Sequence, residues 1–533
     1  MRTPIASGQA LALLALCAPL VHCASDPLPY EDSGLAADPG NASILGLQVP
    51  RPEGQWVTLP DTMDINPIHA VVLHEDVSRS DREVAGRAVG TVLVVSGSGD
   101  YWAETDFSYK VWDLASGVNT TSLMYFDAFC GGITVLSNGN PFVAGGTSYQ
   151  PFLSGIAEAA TFRTRSGTFG PVGDMARGRW YPTTTLLGDG RVMVDSGWDE
   201  NGVMNETVEI FTPGGGWSPE YPMGWSPPFY IRKHVMPDGR VFMSSPDTES
   251  RWFDPAVVNV NNTGWTHAAW TQYGNLPNQY WREYGSSVLL PITPENGWEP
   301  TVMILGGNRE YPTATTELIE PMDAVPTWRW GPDMVSPRVR MNATLLPDGT
   351  LLTLGGSTVD YDSTTGVLAA EIYDPERNAF EPAGTMAYAR LDHSVSILLP
   401  DATVWVAGNQ GVIPDFEEHV EVYEPAYLFN PDGSLATRPV IDDAPRLVTY
   451  ATDFTIRSDE AANIDRVVLM RPGAVTHSFD TDQRHVGLEF SVVNGRIRAT
   501  SPIDSNLAPP GYYMLFLIDT VGVPSVATFI QLL

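Results

Sequence analysis

One unit recurs along the chain: an apolar approach, a tight turn, usually with a glycine, and a β-branched run that ends in small residues. Copies run from Leu136-Ser137-Asn138-Gly139 to Gly145-Gly146, from Leu187-Gly188-Asp189-Gly190 to Gly197, and from Met236-Pro237-Asp238-Gly239 to Ser245. Val302 to Gly307, Leu346-Pro347-Asp348-Gly349 to Gly355-Gly356, and Leu399-Pro400-Asp401-Ala402 to Gly408 continue the series; with the strand ending Thr91 to Gly97 they make seven. Glycine accepts positive φ without a Cβ clash, so the turns fit two-residue hairpins.

Equivalent turns lie about 50 residues apart, the period of kelch-type β-propellers. Each unit then reads as one four-stranded blade, with glycines at the strand ends letting blades converge on a central channel. The expected fold is all-β: a seven-bladed kelch-type β-propeller over residues 45–430. Two β-sandwiches with similar hairpins would not produce this regularity. A Pro-containing linker over 431–445, with Pro439 and Pro445, ends the repeat. Alternating runs such as Phe454-Thr455-Ile456, Val467-Val468-Leu469 and Tyr512 to Ile518 then predict an immunoglobulin-like β-sandwich over 446–533.

The formal charge of −33 argues against nucleic acid and anionic lipid, because the only lysines are Lys110 and Lys233 and no clustered basic surface is available. Met1-Arg2 followed by the apolar run Ala10 to Val21 has the form of a secretory signal over 1–23, so the chain is expected to be exported, secreted or at the cell surface. Leu20-Val21-His22-Cys23 also resembles a lipobox, which would make Cys23 a lipid anchor and the only attachment to a membrane. Residues 24–44 read as a flexible tether. Sequons at Asn41, Asn119, Asn205, Asn261 and Asn342 matter only in a host that glycosylates exported proteins.

Cys130 is the only cysteine beyond the first two dozen residues, so it cannot serve an intrachain disulfide framework. Taken alone it reads first as a small buried hydrophobe. Three separated segments narrow the choice. Phe129-Cys130-Gly131, Arg177-Gly178-Arg179-Trp180-Tyr181-Pro182-Thr183-Thr184 and Val475-Thr476-His477-Ser478-Phe479-Asp480-Thr481-Asp482-Gln483-Arg484 each resemble a segment of the galactose oxidase and glyoxal oxidase group of copper radical oxidases. Pro509-Pro510-Gly511-Tyr512-Tyr513 and Gly522-Val523-Pro524-Ser525 are similar to that family's terminal early-set domain. The likeness runs from about residue 50 to the C-terminus.

The resemblance implies a mononuclear copper site at the propeller hub, in a monomer. It implies a Cys130–Tyr181 thioether radical cofactor, Tyr181 as copper ligand and radical seat, and His393 and His477 as imidazole ligands. The substrate would be a small alcohol, aldehyde or carbohydrate, with O2 as oxidant and H2O2 released. The family's axial tyrosine directly precedes the first histidine; here Asp392 stands there. Asp392 can serve as a hard oxygen ligand and a base, with basicity reduced if it binds a dication. A variant oxidase, a slow copper centre and a vestigial site are the three consequences to separate. The rival function is a catalytically inactive propeller that binds glycan or cell-wall polymer.

Around this centre, Met236 falls where galactose oxidase places the indole that shields its radical, leaving Trp225, Trp180 and Trp281 as donors. His234 is expected to border the pocket, and Arg340 and Arg282 to approach the hub as binders of a polar substrate. His69, His74, His267, His419 and His485 have no metal-like spacing and read as structural or exposed.

Overall fold

The computed structural model describes residues 53–74, 90–99, 106–148, 153–257, 270–275, 281–410 and 416–533. The signal, tether and Cys23 expectations, with Asn41, Asn261 and His267, lie outside the described residues. Residues Pro50–Leu533 form one compact unit.

The described chain is strand-rich, and its repeat is written in strand pairing. Seven sheets each carry a short first strand, buried throughout except at half-buried His234: His69–Leu73, Gly132–Val135, Thr183–Leu186, Arg232–Val235, Ser286–Leu289, Val339–Leu345 and Val395–Leu398. In six sheets the chain runs outward through successive antiparallel neighbours. In the seventh the outermost strand, Gln55–Thr62, comes from the beginning of the described chain and pairs with His419–Glu424. From the second sheet onward each inner strand packs against the next, and the last packs against the first. Apart from Arg232–Val235 and Val339–Leu345, these strands are rich in Val, Ile, Leu, Thr and small residues because both their faces are covered.

The turns between first and second strands differ in one respect from the sequence expectation. Leu136 N–H donates to Asn140 O at 3.0 Å and Gly139 N–H to Leu136 O at 2.8 Å, so three residues lie between the paired positions rather than two. The third residue is left-handed, φ +81° at Gly139 and +66° at Ala402. This is a type I turn with a bulge, a geometry that favours glycine in its third place. In the five such turns among the described residues the residue before it is Asn or Asp, because its side chain accepts from the backbone two residues on, as Asn138 does from Asn140 (3.0 Å) and Asp401 from Thr403 (3.0 Å).

The C-terminal region folds as a five-stranded sheet against a three-stranded one. In the strand Ile464–Arg471 side chains alternate across the sheet. Val467 and Leu469 fill the sandwich core with Ile456, Ile497 and Leu515, while Val468 and Met470 join Met514 and Phe516 in the larger core shared with the inner strands. Those last four side chains bury about 6–12 kcal/mol of gross apolar transfer energy. From this region the strand Ala474–Thr476 reaches across, pairs antiparallel with His69–Leu73, and packs against Gly132–Val135.

Both lysines are inside. Lys110 meets Asp64 at 2.8 Å and Lys233 meets Asp195 at 2.6 Å, with side chains only 3% and 0% exposed. Asn205 and Asn342 are also buried, which closes those two sequons in the folded chain.

Candidate metal centre

The repeat places one residue per sheet at a common position. Cys130, Tyr181, Tyr230, Tyr284 and His393 each stand two residues before an inner strand, and Arg340 stands at the corresponding place near the start of the sixth. All six are left-handed, with φ of +58°, +67°, +43°, +54°, +53° and +62° respectively. His477, at the tip of the hairpin built by Ala474–Thr476 and Phe479–Asp480, has φ +46°. Such conformations cost about 1–3 kcal/mol each for non-glycine residues and persist only where the surroundings enforce them.

The enforcement is visible in four sheets. Arg179 meets Glu209 (3.1 Å), Arg282 meets Glu317 (2.8 Å), Arg338 meets Glu371 (2.8 Å) and Arg390 meets Glu421 (2.8 Å), all buried. Each arginine lies two or three residues before its sheet's left-handed position and also donates to a carbonyl at the end of the second strand: Ser196, Gly306, Gly355 or Gly408. The loop that presents the hub side chain is thereby tied to the second and third strands of its own sheet.

His393 and His477 face each other with Nε2 atoms 3.0 Å apart, and Cys130 Sγ lies 3.6 Å from His477 Nε2. Donor atoms of these three residues all lie within 4.8 Å of one another, and all three are buried. Tyr181 packs on the same histidine, ring centroids 4.8 Å apart, and Tyr230 stacks on it at 4.4 Å, the two phenol rings themselves 4.6 Å apart. Both tyrosines and Cys130 belong to one apolar cluster with Phe129 and Ile68.

Tautomers follow from the partners. Thr476 gives its only hydroxyl proton to Ile68 O (3.1 Å), so its oxygen accepts from His477 Nδ1–H (2.7 Å). His393 Nδ1–H donates to Gln410 Oε1 (2.5 Å), which Asn66 Nδ2 holds from the other side (2.9 Å). Both imidazoles therefore turn Nε2 lone pairs toward each other. Burial first, then the neighbouring His393, His69, Arg340 and Arg232, hold His477 well below the ordinary histidine range, so no proton settles the repulsion. Two lone pairs at this separation beside a thiol and a phenol fit a bound cation, and the donor set suits copper or zinc. Burial and then Cys130 push the Tyr181 phenol well up, so phenolate needs a nearby cation.

Asp392 is differently engaged. Its Oδ1 pairs with Arg340 Nη1, and its Oδ2 is 3.8 Å from His393 Nε2. Burial acts to raise its carboxyl, but Arg340, His393 and a hydrogen bond from Tyr361 outweigh that and hold it below the usual range.

Several neighbours differ from expectation. Met236 does not approach Tyr181; it closes a hairpin at the far end of its strand and packs against Phe242, Trp252 and Leu289. Of the three tryptophans, Trp180 lies against Tyr181 at 4.1 Å, and Trp198, which sequence reading missed, stacks on Trp180 at 5.1 Å. Trp225 packs on Trp270, and Trp281 is exposed. His234 Nε2 is held by Ser287 Oγ (2.8 Å) between two inner strands, and Arg282 is one of the buried clamps. Tyr230 and Tyr284 were missed too, although aligning the repeat units on Cys130, Tyr181 and His393 finds both.

The fold and site define a class: a ring of antiparallel sheets presenting a buried N,N,S and phenol centre, with one imidazole delivered by a C-terminal β-sandwich. Residues 438–532 match the model of the "Galactose oxidase-like, Early set domain" family. Galactose oxidase of Gibberella zeae is 28% identical over 450 residues, covering 79% of this chain and 63% of its own length. A putative aldehyde oxidase of Artemisia annua is 28% identical over 472 residues, covering 76% of this chain and 75% of its own. The solved structure of a fungal alcohol oxidase in complex with copper superposes with a TM-score of 0.76 at 22% identity, over 90% of this chain and 100% of that one. Over about three quarters of its length the chain is similar to galactose oxidase and aldehyde oxidase homologues, and its C-terminal residues match the early-set family model. It spans 63% of the length of the galactose oxidase it matches.

Proposed function

We propose that this chain is an exported copper radical oxidase that converts a primary alcohol or aldehyde with O2 and releases H2O2. The observation that carries the reading is the convergence of Cys130, Tyr181, His393 and His477, from three sheets and a C-terminal hairpin, on one buried point. The seven sheets act as blades of a propeller over 45–430, joined through 431–445 to the sandwich 446–533. The segment 1–23 directs export, with Cys23 a possible site of lipid attachment, and the chain acts as a monomer on a small alcohol, aldehyde or carbohydrate.

In this reading His393, His477 and Tyr181 hold the copper, and Cys130 joins Tyr181 in a thioether. Copper with a linked tyrosine supplies two one-electron acceptors, which together match the two electrons of an alcohol oxidation. The chain's own contribution is placement. Gln410 and Thr476 fix both imidazoles with Nε2 toward the centre, and Trp180 and Phe229 pack on Tyr181 with Trp198 packed on both of them. Asp392, held as carboxylate by Arg340, offers an acceptor for a substrate hydroxyl beside the metal position.

Intact mass after aerobic copper loading tests the reading, because thioether formation removes two hydrogens, about 2 Da. The expected result is that deficit, loss of Cys130 alkylation, and peroxide release on a panel of primary alcohols and aldehydes. A freely alkylatable Cys130 and a silent panel would instead leave the glycan-binding reading standing.

A further inference from the structure

Arg340 is a costly residue to place where it stands. Its guanidinium is buried at 0% exposure, its backbone is left-handed, and it occupies a hub position that other sheets fill with Cys130, Tyr181, Tyr230, Tyr284 and His393. It is stacked between two rings, 3.8 Å from the Tyr284 centroid and 3.7 Å from that of Tyr361. Its Nε donates to Asp360 Oδ1 at 2.6 Å and its Nη1 to Asp392, while Nη2 is buried with no partner. The four clamp arginines also leave one nitrogen unpaired, but in each it is Nε, next to the chain's own backbone. Arg340 alone among them leaves a nitrogen at the tip. An unpaired buried donor on a charged group costs on the order of a few kcal/mol, and a buried ion pair does not by itself repay its desolvation. Left-handed strain adds to that. No clamp function offsets these costs, since Arg338, two residues earlier, already ties this loop to its sheet.

The tip donor and the Asp392 carboxylate form a donor–acceptor pair. Asp392 Oδ2 lies 3.8 Å from His393 Nε2, so the pair borders the metal position at the distance of one adjacent group. Tyr361, 42% exposed, lies over the guanidinium on its outer side. A single hydroxyl satisfies both partners, accepting from Arg340 Nη2 and donating to Asp392. A charged ligand is not called for, because Arg309, Asp360, Arg340 and Asp392 already alternate in sign.

Resting on the oxidase reading, we propose that Arg340 and Asp392 form a subsite for a hydroxyl on the carbon next to the one oxidised, so that the preferred substrates are small 1,2-diols and polyols rather than alkyl or aryl monoalcohols. The subsite discriminates because a monoalcohol leaves Arg340 Nη2 unpaired in a buried place.

The test compares 1,2-propanediol with 1-propanol on the copper-loaded protein, and separately the binding of pinacol, a diol with no oxidisable C–H bond, with that of tert-butanol by calorimetry. The expected kcat/KM ratio favours the diol by about ten- to a hundredfold, the range of a hydrogen bond to a charged group. In Arg340→Lys, which keeps the charge but loses the planar fork, the ratio falls to within about threefold of unity and the preference for pinacol is lost with it. Arg340→Met with Asp392→Asn serves the same purpose if the single variant folds poorly. Oxidation of both alcohols at a ratio indifferent to Arg340 overturns the subsite and leaves the oxidase reading intact. A silent panel with pinacol binding still dependent on Arg340 overturns the oxidase reading and leaves the subsite. Pinacol and tert-butanol binding equally to parent and Arg340→Lys overturns the subsite whatever the turnover.

Discussion

Two kinds of buried arginine–carboxylate pair lie within one ring of sheets. The clamps of Arg179, Arg282, Arg338 and Arg390 recur at the same place in four sheets and spend their donors on a glutamate and a strand-end carbonyl. None of the four arginines is left-handed. The Arg340–Asp392 pair occurs once, on strained backbone, between two tyrosines, and beside His393. Repetition marks the pair that builds the frame; singularity with unrepaid cost marks the pair that faces the chemistry.

That contrast can be broken in a series of measurements. Glu371→Gln leaves the Arg338 guanidinium buried without its counter-charge, and its unfolding free energy is expected to fall by about 3–5 kcal/mol in denaturant titration. A loss below about 1 kcal/mol would remove the framing role of the clamps. Next in size, Gln410→Leu deletes the acceptor that fixes the His393 tautomer. Copper affinity in chelator competition should drop about 10–100-fold while the far-UV spectrum is kept. Unchanged affinity would show that Gln410 does not orient the imidazole.

An acid titration separates the ion pairs from the buried histidines. Burial pushes His69 and His485 down to about 4 and His234 down to about 3, so all three are neutral in the fold and protonate on unfolding. Their folded values are depressed, so the stability they contribute is present above about 6.5 and is lost as pH falls toward 4. Asp480, pushed up to about 6 by burial, runs the opposite way: its contribution is present below its unfolded value and is lost as pH rises through about 6. The histidines therefore act on the acid limb of the stability profile. His485→Gln should flatten that limb by on the order of 1–2 kcal/mol, read from thermal melts between pH 4 and 7. Asp392, held low by Arg340 against its burial, should add nothing to this window. The smallest effect is expected of the double variant Arg340→Met/Asp392→Asn, which removes both charges together and should stay within about 1–2 kcal/mol of the parent. A loss as large as that of Glu371→Gln would place the pair among the clamps.

Much of the frame was legible because it is local. Asx-turn residues and left-handed glycines write each hairpin into a few positions, and alternation writes the sandwich. Closure of the seventh sheet by Gln55–Thr62 was not legible, since its pairing with the distant strand His419–Glu424 leaves no short-range pattern. Cys130, Tyr181, His393 and His477 were found through separate local segments, and the fold brings them together. Tyr230 and Tyr284 were missed although the repeat carries them in register. Trp198 was missed because stacking depends on where two strand ends meet, and Met236 was misplaced for the same reason. Arg340 was noticed as a strand residue near the hub, but its unpaired tip and its two ring partners exist only in three dimensions.

The burial of Lys110 and Lys233 has a practical corollary. With every lysine of the sequence inside and paired to an aspartate, the folded exterior offers no ε-amine. Carbonyl compounds, including any aldehyde released beside the protein, find no side-chain amine with which to condense. Coupling reagents that attack lysine should leave the native molecule nearly unlabelled, and attachment to a surface is better planned through its abundant carboxylates.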